Sequence, residues 1–280
     1  MNYILFLRAF QEKYRGIKDG QLLFQYLREE LQYLILYVLY TKTNYPVYFI
    51  GWTNLRLSYG INRFSEDIDL SLDKPSKDFP SERFFTDITK AFSEKVTGFS
   101  IKNILSTDHN VIKLTFSFSK ALFDLGLSPL PEQTIKIKLE LDKNPPLSAT
   151  YERKTYHSMA GDYIISAHDL PTGFAGKIAA ILFREYQKGR DYYDLQWYLE
   201  RRPKVQVNLK YLNANAVQQN KRTFSSKKKV FAELIEKVKK LDLSLLRRDL
   251  ERFIVMDERA FQEWLKNYVS HTITLLQNES

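Results

Sequence analysis

The segment TIKIKLELD, residues 134–142, alternates apolar and polar side chains with a period of two, a pattern that a strand can sort onto two faces and a helix cannot. Ile135, Ile137, Leu139 and Leu141 fall on one side, and Lys136, Lys138, Glu140 and Asp142 on the other. A strand of this kind needs a layer against its apolar face. The same alternation recurs at 99–105, 111–118 and in DIDLSLD (67–73), and VYFIG (47–51) reads as a short buried strand. These predicted strands extend a single sheet.

Between them the period changes. Residues 20–43 carry Leu22, Leu23, Tyr26, Leu27, Leu31, Leu34 and Leu36 at mostly helical spacing until TNYP ends the pattern at Pro46. TNLRLSYG reads as a helix closed by Gly60, and a further helix falls near 80–96. NPP (144–146) breaks the sheet, and from DLPTGF onward the chain reads as helix to its end, with Ser225 or Ser226 capping the helix that follows KRTFSSKKKVF. The expected class is α+β: a mixed sheet with flanking helices over 1–165, then a helical domain over 166–280.

The chain has 280 residues and is 44% hydrophobic, enough for substantial cores. Its 42 Lys and Arg against 33 Asp and Glu give a net charge of +9, which favours polyanionic partners such as RNA or nucleotides. With no cysteine, disulfides and thiolate metal sites are excluded. The four histidines, His109, His157, His168 and His271, show no ligand spacing. The apolar run 33–41 is half of what a membrane span requires, and the first residues, broken by Arg8 and Glu12, do not read as a signal peptide. The expected location is cytoplasmic, with no membrane partner.

In EDIDL, strand period places Asp67 and Asp69 on one face, and like charges that close together call for a cation or a proton. Mg²⁺ prefers carboxylate oxygens together with substrate phosphates, and a pair of such ions can clamp attacking and leaving oxygens. A third carboxylate from a neighbouring strand would complete a triad, and strand parity leaves Glu140 and Asp142 as equal candidates.

GWTNLRLSYGINRFSEDIDLSL (51–72) resembles the first motif of the AbiEii-type nucleotidyltransferases, within the DNA polymerase beta-like superfold: a glycine turn before a helix, then Arg-x-Ser-x-Asp-x-Asp. FAGKIAAILFREYQKGRDYYDLQWYL (174–199) is similar to the family's later motif, a helical Lys followed by Arg-Asp-x-x-Asp, and KLELDKNPP to the segment between. The resemblance implies Asp67, Asp69 and Glu140 as metal ligands for two Mg²⁺ ions, with Asp142, Lys177 and Asp191 also in the catalytic set. It implies Gly51, Trp52, Thr53, Arg63, Ser65, Lys177, Arg184 and Asp194 around a nucleoside triphosphate, with Arg63 as a phosphate contact and Lys177 neutralising phosphate charge.

Trp52 departs from the family pattern, standing where Gly or Ser is usual; it either stacks on the nucleotide or marks a weakened or redirected activity. Tyr192, Tyr193, Trp197 and Tyr198 offer faces on which a base or sugar could stack, but they read first as packing residues. What the resemblance implies overall is a toxin of a toxin–antitoxin pair that transfers nucleotides from a triphosphate to a tRNA-like RNA. The alternatives are the same chemistry on a protein hydroxyl, and a silent relative that binds RNA or protein. A cognate antitoxin is the implied protein partner.

Overall fold

The structure, a computed structural model of the chain, describes residues 1–108 and 110–279; His109 lies outside the described residues. Two compact units emerge, one comprising 1–54, 64–145 and 153–167, the other 55–63, 146–152 and 168–280. The chain thus passes into the second unit and back twice before it stays there, an arrangement that a single cut in the sequence does not anticipate.

In the first unit the elements run α1 (Tyr3–Lys13), α2 (Gly20–Lys42), β1 (Tyr48–Ile50), the start of α3 (Gly51–Tyr59), β2 (Ile68–Ser71), α4 (Ser81–Lys95), β3 (Ser100–Asp108), β4 (Val111–Ser119), α5 (Ala121–Asp124), β5 (Ile135–Asp142), β6 (Tyr151–Ser158) and β7 (Gly161–His168). Among the described residues the strands form one seven-stranded mixed sheet in the order β3-β4-β5-β2-β1-β7-β6. β2 lies at its centre, antiparallel to β1 and parallel to β5. The fold is α+β, as expected.

The apolar rows of β4 and β5, Ile112 to Phe118 and Ile135 to Leu141, are buried. α4 brings Phe84, Ile88, Ala91 and Phe92, spaced to share one face, into the core. The Phe92 ring packs on Phe116 and Phe118 of β4 at 5.3 and 6.0 Å. α2 starts where the Asp19 carboxylate accepts from the backbone N–H groups of Gln21 and Leu22, and its Leu27, Leu31, Leu34, Ile35 and Val38 are buried. With the apolar rows spent on this layer, the alternate positions of β4 and β5 carry the polar side chains.

The expected strands appear with shifted ends, and β6 and β7 are additional. β7 buries Tyr163, Ile165 and Ala167 at every second position, whereas most of β6 is exposed or half-buried. α1 was likewise not anticipated; it buries only Phe6 and Phe10.

The second unit is built from α6 (Leu170–Phe183), α7 (Gly189–Glu200), α8 (Leu209–Gln218), α9 (Lys227–Lys239), α10 (Leu243–Leu250) and α11 (Glu258–Gln277). They share a core that includes Phe174, Ile178, Tyr198, Leu212, Leu234, Leu246 and Tyr268, joined by Leu55 and Ile61 from the first excursion. Asp169 caps α6 by accepting from the Thr172 N–H at 2.9 Å, and Ser226 caps α9. At Gly189 a Cβ would stand 2.8 Å from the Leu246 Cα, so α7 and α10 approach more closely than any other residue permits. Tyr192 and Tyr198 are buried, and Tyr193 and Trp197 pack against the same core, as the packing reading expected. Among the described residues no helix is long and apolar enough to cross a membrane.

Candidate active site

Register places the carboxylates. Asp69 on β2 lies directly across from Glu140 on β5 and, on its other side, from Ile50 at the end of β1. Residues paired in this way point to the same face of a sheet, so Asp69 and Glu140 stand side by side on the face opposite the buried Ile68, Leu70, Leu139 and Leu141. Asp67 precedes the strand by one residue, and its carboxylate accepts a hydrogen bond from the Lys138 backbone and feels the charge of Glu140. Asp142 is across from Ser71, and its Oδ1 accepts from the Asn144 N–H at 2.8 Å, holding the turn after β5. Of the two candidates that parity left equal, Glu140 is thus the direct neighbour of Asp69, while Asp142 holds the turn after β5.

The Asp69 carboxylate is seated against the start of α3. Gly51 has φ +75°, and a Cβ there would overlap the Asp69 Oδ2 and come within 2.9 Å of its Cβ and Cγ. Glycine is needed twice over, for a left-handed backbone and for the space a side chain would take from Asp69. Thr53 and Ser65, expected near the triphosphate, are buried. The Thr53 hydroxyl donates to Ser65 Oγ at 2.8 Å and also contacts the Asp67 carbonyl oxygen, while the Ser65 carbonyl accepts from Gln32 Nε2 at 3.1 Å. These two side chains fix the loop entering β2 and so aim Asp67. Trp52 is half-buried in the first turn of α3.

Electrostatics agrees with a crowded acidic site. Burial pushes the Asp67 carboxyl above its usual range, Lys138 pulls it back, and Glu66 and Glu140 push it further up. Asp142 is also pushed up by burial, against the pull of its bond to the Asn144 N–H.

Among the described residues no three His, Asp or Glu side chains are grouped so as to hold a metal ion between them, so Glu140 does not close a protein cage with Asp67 and Asp69 as expected. The donor set nonetheless suits Mg²⁺, which is commonly held by one or two carboxylates and completes its shell with water and substrate phosphates. A cation on the Asp67 and Asp69 oxygens would offset the burial that chiefly raises Asp67, and the charge of Glu66 and Glu140 that adds to it.

The second motif forms a different structure, within the second unit. Arg63, anticipated as a phosphate contact, is fully buried and grips Asp194 through two hydrogen bonds, Nε to Oδ1 at 2.7 Å and Nη2 to Oδ2 at 2.6 Å. Lys177 Nζ lies 2.9 Å from Asp194 Oδ2 and 3.3 Å from Asp191 Oδ1, and Arg184 Nη1 pairs with Asp191 Oδ2. Burial alone would raise the Asp194 carboxyl, but Arg63 and Lys177 more than offset it and hold it below the usual range. Arg63, Lys177, Asp191 and Asp194 are thus engaged with one another in the interior. The shared face of Lys177 and Arg184 on α6, read from their spacing, is what lets both reach Asp191. Sequence reasoning missed Lys113 and Asn213. Lys113 on β4 is across from Glu140. Asn213 clamps Phe224 by accepting from its N–H at 2.8 Å and donating to its carbonyl at 2.9 Å; no local pattern marks either residue.

The site is a strand-borne carboxylate pair beside a glycine-started helix, and the fold that carries it is similar to that of solved structures. A crystal structure of a Helicobacter pylori protein assigned as a nucleotidyltransferase is similar with a TM-score of 0.52 and 18% identity, covering 89% of this chain and 92% of that one. The structure of JHP933 from Helicobacter pylori is similar with a TM-score of 0.53 and 17% identity, covering 90% of each chain. At such identities the likeness is one of fold. No curated protein matches the chain in sequence. The model of the family described as "Nucleotidyl transferase AbiEii toxin, Type IV TA system" matches residues 38–269, a span that begins before the β1–α3 turn and ends within α11. The chain belongs to this AbiEii toxin family and is a nucleotidyltransferase.

Proposed function

We propose that the protein transfers nucleotides from a nucleoside triphosphate to a hydroxyl of an RNA acceptor, with Mg²⁺ held by Asp67 and Asp69. The observation that carries this reading is the seat of Asp69: its carboxylate occupies space that only glycine leaves open, with Glu140 directly across the strand pair. When bound, Mg²⁺ supplies neutralising charge for the transferring phosphoryl group. The backbone N–H groups that open α3 at Gly51 receive phosphate oxygens. Glu140 orients the acceptor hydroxyl and takes its proton as that oxygen bonds to the α-phosphorus; the bond from the α-phosphorus to the bridging oxygen breaks, and pyrophosphate leaves. The net charge of +9 favours a polyanionic acceptor, and the family's toxin–antitoxin description implies a cognate antitoxin.

The test is incubation with Mg²⁺, each of four labelled triphosphates and total cellular RNA or protein, beside the Asp67→Ala, Asp69→Ala double variant. Label on RNA that requires both carboxylates and disappears with a chelator supports the proposal. Label on protein moves the acceptor, and label that persists in the double variant removes these carboxylates from the mechanism.

A further inference from the structure

The sheet order places different chemistry on the two sides of β2. From Asp69, one neighbour is Ile50, followed at once by Gly51 and α3; the other is Glu140 on β5, with β4 beyond. On the β5 side, Lys138 is across from Thr115, Lys136 from Ser117, and Lys113 from Glu140. All share the polar face with the carboxylates, since the alternate positions of both strands are buried. Lys136 and Lys138 are exposed, and the charge of Lys138 acts on Asp67. Lysine is disfavoured in strands, and β5 is an interior strand of the sheet. Two exposed cations in its middle do nothing for the packing of the sheet that a threonine would not do.

We infer that Lys136 and Lys138, with Lys113 beside them, form the track that holds the phosphodiester backbone of the RNA acceptor. The side follows from the chemistry, and this step rests on the nucleotidyl transfer proposed above. In phosphoryl transfer the attacking and leaving oxygens lie roughly in line on opposite sides of the phosphorus. With the triphosphate received at Gly51, on the β1 side of the carboxylates, pyrophosphate departs toward α3 and the acceptor enters from the β5 and β4 side. There the lysines meet its phosphates, and Glu140 stands between them and Asp69 where the terminal hydroxyl must arrive. Lys138 has a second role, since its charge favours the ionised form of Asp67. Lys136 has none, which makes it the cleaner probe.

The experiment measures binding of a short fluorescein-labelled single-stranded RNA of mixed sequence, without triphosphate, across a salt series. The proteins are the intact chain, Lys136→Gln, Lys136→Gln with Lys138→Gln, the matching Arg variants, and Lys90→Gln on α4 as a control for net charge. Each lost phosphate contact should make the slope of log K against log salt shallower by about 0.7. Affinity should fall in the Gln variants, return with Arg, and stay unchanged in Lys90→Gln. In turnover, KM for RNA should rise while KM for the triphosphate holds. Unchanged RNA affinity and slope in the double Gln variant would overturn the inference, as would a rise confined to the triphosphate KM, which would put the lysines on the donor side. Because binding is read without turnover, a wild type that binds RNA through these lysines but transfers no nucleotide would count against the function and leave the track standing.

Discussion

Arg63 is the residue on which two readings of this protein part most sharply. A phosphate contact would be exposed and spare to the fold, whereas the guanidinium here is wholly buried, with two hydrogen bonds to Asp194 at 2.7 and 2.6 Å. In Arg63→Ala, Asp194 would remain in the interior with Lys177 at 2.9 Å as its main partner. Removing one member of a buried pair typically costs about 3–5 kcal/mol, because the remaining charge stays desolvated. At roughly 2–4 °C per kcal/mol for a unit of this size, the melting temperature should drop by about 10 °C. Arg63→Lys should recover only part of this, since an ammonium cannot match both carboxylate oxygens as the guanidinium fork does. The double variant Arg63→Met, Asp194→Leu should be more stable than Arg63→Ala, because no carboxylate is then left with half its partners. Differential scanning calorimetry of the three variants is the assay. If Arg63→Ala melts like the parent and instead raises KM for the triphosphate, the structural reading is refuted and the phosphate contact restored.

Gly51→Ala should cost about 1–2 kcal/mol for its left-handed backbone and displace the Asp69 carboxylate as well, so transfer activity should fall far more than thermal stability; equal, small losses in both would argue against the seat. Burial pushes His168 down to about 4, with Asp169 opposing. A base that stays neutral in the fold contributes stability that is complete above its unfolded pKa of about 6.5 and is lost as pH falls toward 4, here on the order of 3 kcal/mol. Urea titrations between pH 7 and 4 should show that decline, and His168→Gln should flatten it.

Periodicity located α2, α3, α4 and five of the strands, because each must sort its own side chains between a core and another surface within a few residues. It also placed Lys136, Lys138 and Glu140 on one shared face, since parity along a strand is a local property. β6 left no such trace, as most of its side chains are exposed or half-buried, while the alternation of β7 was legible but followed a break that reads as the end of the sheet. The motif residues drew attention to the right segments, yet their chemical duties were not written there. Whether an arginine meets a phosphate or a buried carboxylate depends on what the fold brings opposite it, and Asp194 is 131 residues away in sequence.

By itself the sequence determined the α+β class, the polar and apolar faces of each strand and, through its motifs, the family. Only the tertiary structure decided that Glu140, and not Asp142, stands across from Asp69. It also decided that Gly51 makes room for that carboxylate and that Arg63 and Lys177 face inward. The reason is physical: which face a side chain takes follows from the turn-by-turn geometry of its own segment, whereas register and ion pairing are relations between segments, fixed when distant parts of the chain bury their apolar surface together.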